Sequence, residues 1–174
     1  EQLREAARSD RAGRLSSVTA ERDAVLALGT ELEAALAHSD APSLPVRVVH
    51  NDCKVNNLLF DAATGEPLCV VDLDTVMPGS LLVDFGELVR TAACDADEGE
   101  ADLARVVFSS SRFEALAEGY VAGLGPVLTP PERALLWAGP PWMALENASR
   151  FLANYLAGDR YFRSGDNRAR ARAQ

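Results

Sequence analysis

One stretch of the chain, "VVHNDCKVNNLLFD" at residues 48–61, concentrates side chains that can hold or move charge. It carries His50, Asp52, Lys54 and Asn57 in an apolar frame, and "LCVVDLD" brings in Asp72 and Asp74 about twenty residues later. Lys54 is the only lysine in the chain. The apolar runs "NNLLFD" and "LCVVDLD" flank "AATGEP", a turn with Gly65 and Pro67, and so read as a small hairpin. Its ends come together, which lets Asp52, Asn57 and Asp72 share one small volume. Carboxylate oxygens joined by an amide oxygen suit a hard cation, Mg²⁺ above all. Asp52 then stays free to accept a proton, and Lys54 can meet an anion as a point charge. Phosphoryl transfer asks for these parts: a base that orients a hydroxyl, an amide and an acid for the metal, and a cation near the moving group. Positioning and charge stabilisation do most of that work. The residues alone fit equally well a polar hairpin whose acids only form turns.

The rest of the chain reads as the scaffold for this hairpin. Residues 1–15 are polar and Arg-rich, a short frayed helix at most. "TAERDAVLALGTELEAALAH" spaces Val25, Leu26, Leu28, Leu32 and Leu36 as a helix would, with Thr19 as its cap. "VRVVH" is a short extended run. From Asp84, read as an N-cap, the pattern is helical: "DFGELVRTAA", "RFEALAEGYVAGLG", "PPERALLWAG" with proline in its first turn, and "WMALENASRFLANYLAG". Gly139-Pro140-Pro141 separates or kinks the last two. "CDADEGEAD" is a solvated loop by composition. The expected fold is mainly α with a small β-hairpin, an α+β single domain over residues 1–174, with loops 48–75 carrying chemistry and 83–174 a helical substrate-binding part.

The net charge of −9 opposes nucleic acid and anionic membranes as partners. No apolar run approaches the roughly 20 residues that span a bilayer. Cys53, Cys69 and Cys94 form no metal-type pair and read as three reduced thiols of a cytoplasmic protein. Two histidines, His38 and His50, are too few for a histidine-rich metal centre.

His50-x-Asp52-x-x-x-x-Asn57 followed by Val70-Val71-Asp72 resembles the catalytic and metal loops of the aminoglycoside phosphotransferase and choline kinase superfamily, whose fold is protein-kinase-like. "HNDCKVNNLLFD", "CVVDLDTVMPG", "DFGELVR" and "RFLANYLAGDRYF" together resemble the N-acetylhexosamine 1-kinases, from about Pro45 to the C-terminus. That resemblance implies an ATP- and Mg²⁺-dependent kinase acting on the anomeric hydroxyl of a sugar. It implies Asp52 as catalytic base, Lys54 near the transferred phosphate, Asn57 and Asp72 as magnesium and nucleotide ligands, and Asp74, Arg150 and Tyr161 at the sugar. Asp84-Phe85-Gly86 spells the metal triplet of protein kinases, but it lies too far beyond Asp52, and Asp84 reads as a cap or a brace for the catalytic loop. No glycine-rich nucleotide loop is found, so the expectation is a C-terminal lobe without the nucleotide lobe. The rival expectations are a kinase of an aminoglycoside, choline or homoserine, and a truncated, non-catalytic binding module.

Overall fold

The computed structural model describes every residue except 38, 40, 163 and 164, so His38 lies outside the described residues. The helices are α1 (Gln2–Ser9), α2 (Thr19–Leu36), α3 (Leu81–Ala92), α4 (Ser110–Leu124), α5 (Pro130–Leu135), α6 (Gly139–Leu156) and α7 (Asn167–Ala173). The strands are β1 (Arg47–Val49), β2 (Leu58–Phe60), β3 (Pro67–Val70) and β4 (Met77–Gly79). The fold is mainly α with little β, as the sequence pattern predicts. The chain forms two compact units, Glu1–Ala37 with Asp95–Val107 and Ala144–Gln174, and His38–Cys94 with Phe108–Met143.

In the first unit the core is built by α6, whose Leu152 and Leu156 recur one turn apart and are both fully buried. Leu3 of α1, Val18, Phe151 and Ala171 of α7 complete it. The predicted apolar stripe of α2 contributes only at its edge: no residue of that helix is buried, and Val25 and Leu26 rest against the cluster. Thr19 is the first helical residue, not the cap, and its hydroxyl donates to the Leu15 carbonyl at 3.1 Å. The polar side of the unit is held by ion pairs of Arg14 with Asp159 and of Arg168 with Glu21.

In the second unit the β structure is two antiparallel ribbons where the sequence suggests one hairpin. β2 pairs with β3 in the predicted place, with Leu58 opposite Val70. β1 pairs with β4 across about thirty residues, with Val48 opposite Pro78. "MPG" hides this strand because proline and glycine are poor strand formers; an edge position tolerates them. Gly79 is needed there, since a Cβ on it would come within 2.6 Å of Val49 Cγ2.

α3 starts four residues before the expected point. Ser80 is its cap, accepting from the Leu82 N–H at 3.2 Å, which leaves Asp84 inside the first turn for another task. The other two members of the triplet serve the core. Phe85 is 1% exposed and lies against Tyr120 and Phe113 of α4. A Cβ on Gly86 would lie 2.3 Å from the Gly139 carbonyl oxygen, and one on Gly139 would lie 2.3 Å from that of Leu82. Backbone meets backbone here, and only glycine permits it. Gly139-Pro140-Pro141 does separate the last helices: α6 opens on it, where missing N–H groups cost little. α5 carries the predicted first-turn proline and a capping box between Thr129 and Glu132.

Candidate active site

The site lies wholly in the second unit, in the loops that follow β1 and β3. The segment from His50 to Lys54 belongs to no helix or strand, so other groups must fix its shape. Asp84 supplies two of the bonds. Its buried carboxylate accepts the His50 N–H at 2.9 Å and the Asn51 N–H at 2.7 Å. Standing in the first turn of α3, this carboxylate also gains from the positive end of the helix dipole. Asn51 takes a left-handed backbone, φ 62°, which asparagine accepts more readily than most residues. The chain then turns so that the next residue, Asp52, faces Asn57.

Asp52, Lys54 and Asn57 form one hydrogen-bonded set. Lys54 Nζ donates to Asp52 Oδ2 at 2.7 Å. Asn57, 6% exposed, donates its amide hydrogens to the same oxygen and to the Asp52 carbonyl, both at 2.9 Å. Both side-chain bonds converge on Oδ2 and leave Oδ1 with no described partner. Partial burial pushes the Asp52 carboxyl up, but the bonds from Lys54 and Asn57 together outweigh it, and the value falls below the ordinary range. The same contact raises Lys54.

Asp72 joins this set through the β2–β3 ribbon. The Val71 N–H donates to the Asn57 carbonyl at 2.9 Å, which sets Asp72 one residue beyond Asn57's partner. Asp72 is also left-handed, φ 63°. A hydrogen bond with Asp74 and its charge push the Asp72 carboxyl up, with a further push from Asp52 and relief from Lys54. Three carboxylates crowd this corner against one ammonium, so the corner is short of positive charge. Asn57 has spent its amide hydrogens on Asp52, which turns its oxygen into the unused end of the group. One amide oxygen and one exposed carboxylate match the two protein ligands Mg²⁺ accepts when phosphates and water fill its other positions. The donor set therefore fits that ion, although no group of three or more His, Cys, Asp or Glu among the described residues could hold a metal.

His50 points inward, with Nε2 3.2 Å from the Val71 carbonyl and Nδ1 buried without a partner. Burial and nearby acids push the Cys53 thiol up to about 11, so it stays protonated and unreactive. Arg150 and Tyr161 belong to the first unit. They line one cavity of about 330 Å³ with Gln2, Ala153, Asn154, Ala157, Arg160 and Phe162. Arg150 lies over the Phe162 ring, 5.7 Å from its centre, and is not paired with Glu146. Sequence reasoning passed over Asn51 and Thr75, which both bond across the loops (Asn51 Nδ2 to the Thr75 carbonyl, Thr75 Oγ1 to the His50 carbonyl). Their only signal was small polar side chains next to the acids.

A model of the phosphotransferase enzyme family matches residues 1–136. The chain belongs to the phosphotransferase enzyme family. The matched part includes the whole Asp52, Lys54, Asn57, Asp72 and Asp74 cluster and stops before Arg150 and Tyr161. Membership makes phosphotransferase chemistry the general frame for the site. No helix among the described residues is long and apolar enough to cross a membrane.

Proposed function

We propose that this phosphotransferase is a small-molecule kinase that moves the terminal phosphoryl group of ATP to an alcohol, the anomeric hydroxyl of an N-acetylhexosamine. The observation that carries the reading is the Asp52 carboxylate, fixed through Oδ2 by Lys54 and Asn57 and open at Oδ1. An acceptor hydroxyl donating to Oδ1 is oriented for attack, and its proton passes to that oxygen as the new P–O bond forms and the bond from the γ-phosphorus to ADP breaks. The lowered pKa means that Asp52 is ionised at neutral pH but is a weak base. Its main work is thus alignment, with proton removal late in the step. Lys54 holds Asp52 in place and adds a positive charge beside the moving phosphoryl group. Asn57 and Asp72 would hold Mg²⁺, which when bound neutralises phosphate charge. Asp74, whose carboxylate pushes that of Asp72 up, is a proposed contact to the sugar. Arg150 and Tyr161 are the other proposed sugar contacts; their shared cavity is in the size range of small-ligand pockets, roughly 300–1,000 Å³.

The test is transfer from ATP with Mg²⁺ to a panel containing N-acetylglucosamine, N-acetylgalactosamine, an aminoglycoside, choline and homoserine, using the complete gene product. The expected result is sugar 1-phosphate, with Asp52→Asn slower by about 10²-fold or more. An Asp52→Asn protein that turns over like the parent refutes the base assignment. Phosphorylation of choline or an aminoglycoside in preference to the hexosamines refutes the substrate.

A further inference from the structure

We infer that Asn51 and Thr75 form a latch that fixes the distance between the loop bearing Asp52 and the loop bearing Asp72, and that both are positioning residues for phosphoryl transfer. The inference rests on the roles proposed above for Asp52, Asn57 and Asp72. Two bonds cross the same gap in opposite senses. Thr75 Oγ1 donates to the His50 carbonyl at 2.6 Å, and Asn51 Nδ2 donates to the Thr75 carbonyl at 3.0 Å. Each residue gives its side-chain donor to backbone on the other side, so the pair closes a ring between segments 24 and 25 residues apart.

The ring carries the β1–β4 pairing, which ends at Val49 and Met77, on into the two loops. The β2–β3 ribbon and the Val71–Asn57 bond tie Asp72 to Asn57. Asp52 lies in the segment with no strand or helix, adjacent to Asn51, and Asp72 stands at the start of the short turn that ends at Thr75. Asp84 holds the Asp52 loop to α3 but makes no bond to the Asp72 loop. Besides the latch, His50 Nε2 at the Val71 carbonyl also spans the two, and the β1–β4 pairing holds their outer ends. The bonds are local, short and made by neutral groups, so they report on geometry and leave the charge of the site unchanged.

Thr75→Val removes the hydroxyl at nearly constant volume, and Thr75→Ser restores it. Asn51→Gly keeps the left-handed backbone and removes only the amide. The complete gene product carries each change. Mn²⁺ binding is read by electron paramagnetic resonance, and kcat and KM by phosphoryl transfer, all well below each variant's melting point. Because a displacement of 1 Å can cost roughly 10²-fold, Thr75→Val and Asn51→Gly should each lower kcat at least about tenfold. Each should also weaken Mn²⁺ binding several-fold, with acceptor KM little changed and Thr75→Ser close to the parent. The double variant should be little worse than either single one, because the ring opens once. Parent-like kcat and Mn²⁺ binding in Thr75→Val, effects that multiply in the double variant, or failure of serine to rescue, each overturn the latch. If Thr75→Val does not fold, Asn51→Gly decides by the same readouts. Asp52→Asn, measured alongside, separates the two levels of the argument. An active Asp52→Asn, or a parent that neither binds Mn²⁺ nor transfers phosphate, brings down the proposed roles and the latch with them. An inactive Asp52→Asn beside an unchanged Thr75→Val brings down the latch alone.

Discussion

Replacing Asp84 tests how the loop that bears Asp52 is held. Its carboxylate is 8% exposed and accepts two backbone N–H groups, His50 at 2.9 Å and Asn51 at 2.7 Å. A hydrogen bond to a charged partner contributes about 1.5–3 kcal/mol net, and an N–H left buried without a partner costs about 1–3 kcal/mol. Asp84→Ala removes both acceptors at once and should destabilise the protein by about 3–5 kcal/mol, a large part of the roughly 5–15 kcal/mol a domain has. Asp84→Asn retains one oxygen but turns an NH₂ group toward a backbone donor, so about 2 kcal/mol is expected. Urea midpoints give the free energies, and hydrogen exchange gives the location. The amides of residues 50 and 51 should lose protection in both variants, alanine more than asparagine. Asp97→Ala in the acidic loop serves as the control and should stay within about 0.5 kcal/mol of the parent. If Asp84→Ala matches that control in midpoint, or keeps residues 50 and 51 protected, then α3 does not brace the loop and the account of the site is wrong.

Other consequences are open to measurement. Glu132 is 1% exposed and bonded twice by Arg47, which holds its carboxyl down from 4.5 to about 2 against the cost of burial. A depressed carboxyl stabilises above its unfolded value, so on the order of 2–3 kcal/mol is present above about pH 5 and is lost as pH falls toward 2. Arg47→Met should flatten that acid limb in urea titrations, and an unchanged slope would refute the pairing. Lys54→Met removes an interaction that lowers Asp52, so the acid limb of a pH–rate profile should move to higher pH; a shift to lower pH contradicts the Lys54–Asp52 bond. Gly86→Ala forces a Cβ against the Gly139 carbonyl and should cost about 3 kcal/mol or more in thermal melts. Gly29→Ala, in open space within α2, should instead stabilise by about 0.4–1 kcal/mol. Iodoacetamide at pH 8 should label exposed Cys69 well before Cys53, whose thiol is pushed up to about 11.

What could be read from the sequence was whatever local spacing controls. The turn between β2 and β3 and the five-residue step from Asp52 to Asn57 need only neighbouring residues, and they were legible. The partner of β1 was not, because β4 is a proline–glycine stretch about thirty residues away and the pairing is long-range. Asp84 read as a helix cap or as a brace for the loop; Ser80 takes the cap, and the Asp84 carboxylate is the brace. Gly86 looked like part of a metal triplet, and its reason is contact with a glycine fifty residues later. Asn51 and Thr75 could not be singled out at all, since their value lies in a bond to the other's loop.

The proposed chemistry therefore depends on backbone that regular structure does not support. β1 has three residues, and the next eight contain only one short turn. Two of the decisive positions, Asn51 and Asp72, hold left-handed backbone, which costs of order 1 kcal/mol or more for residues other than glycine. Such conformations persist only where surrounding bonds outweigh them. At Asn51 those bonds are its own N–H to Asp84 and its amide to Thr75. An alanine at position 51 would meet the backbone cost and lose the amide bond together, whereas glycine loses the bond and adds freedom to the unfolded chain. The difference between Asn51→Ala and Asn51→Gly in stability, about 1 kcal/mol in favour of glycine, thus measures the strain net of that entropy. An alanine variant more stable than the glycine variant would mean that position 51 is not left-handed in solution, and Asp52 would then leave the place where Lys54 and Asn57 hold it.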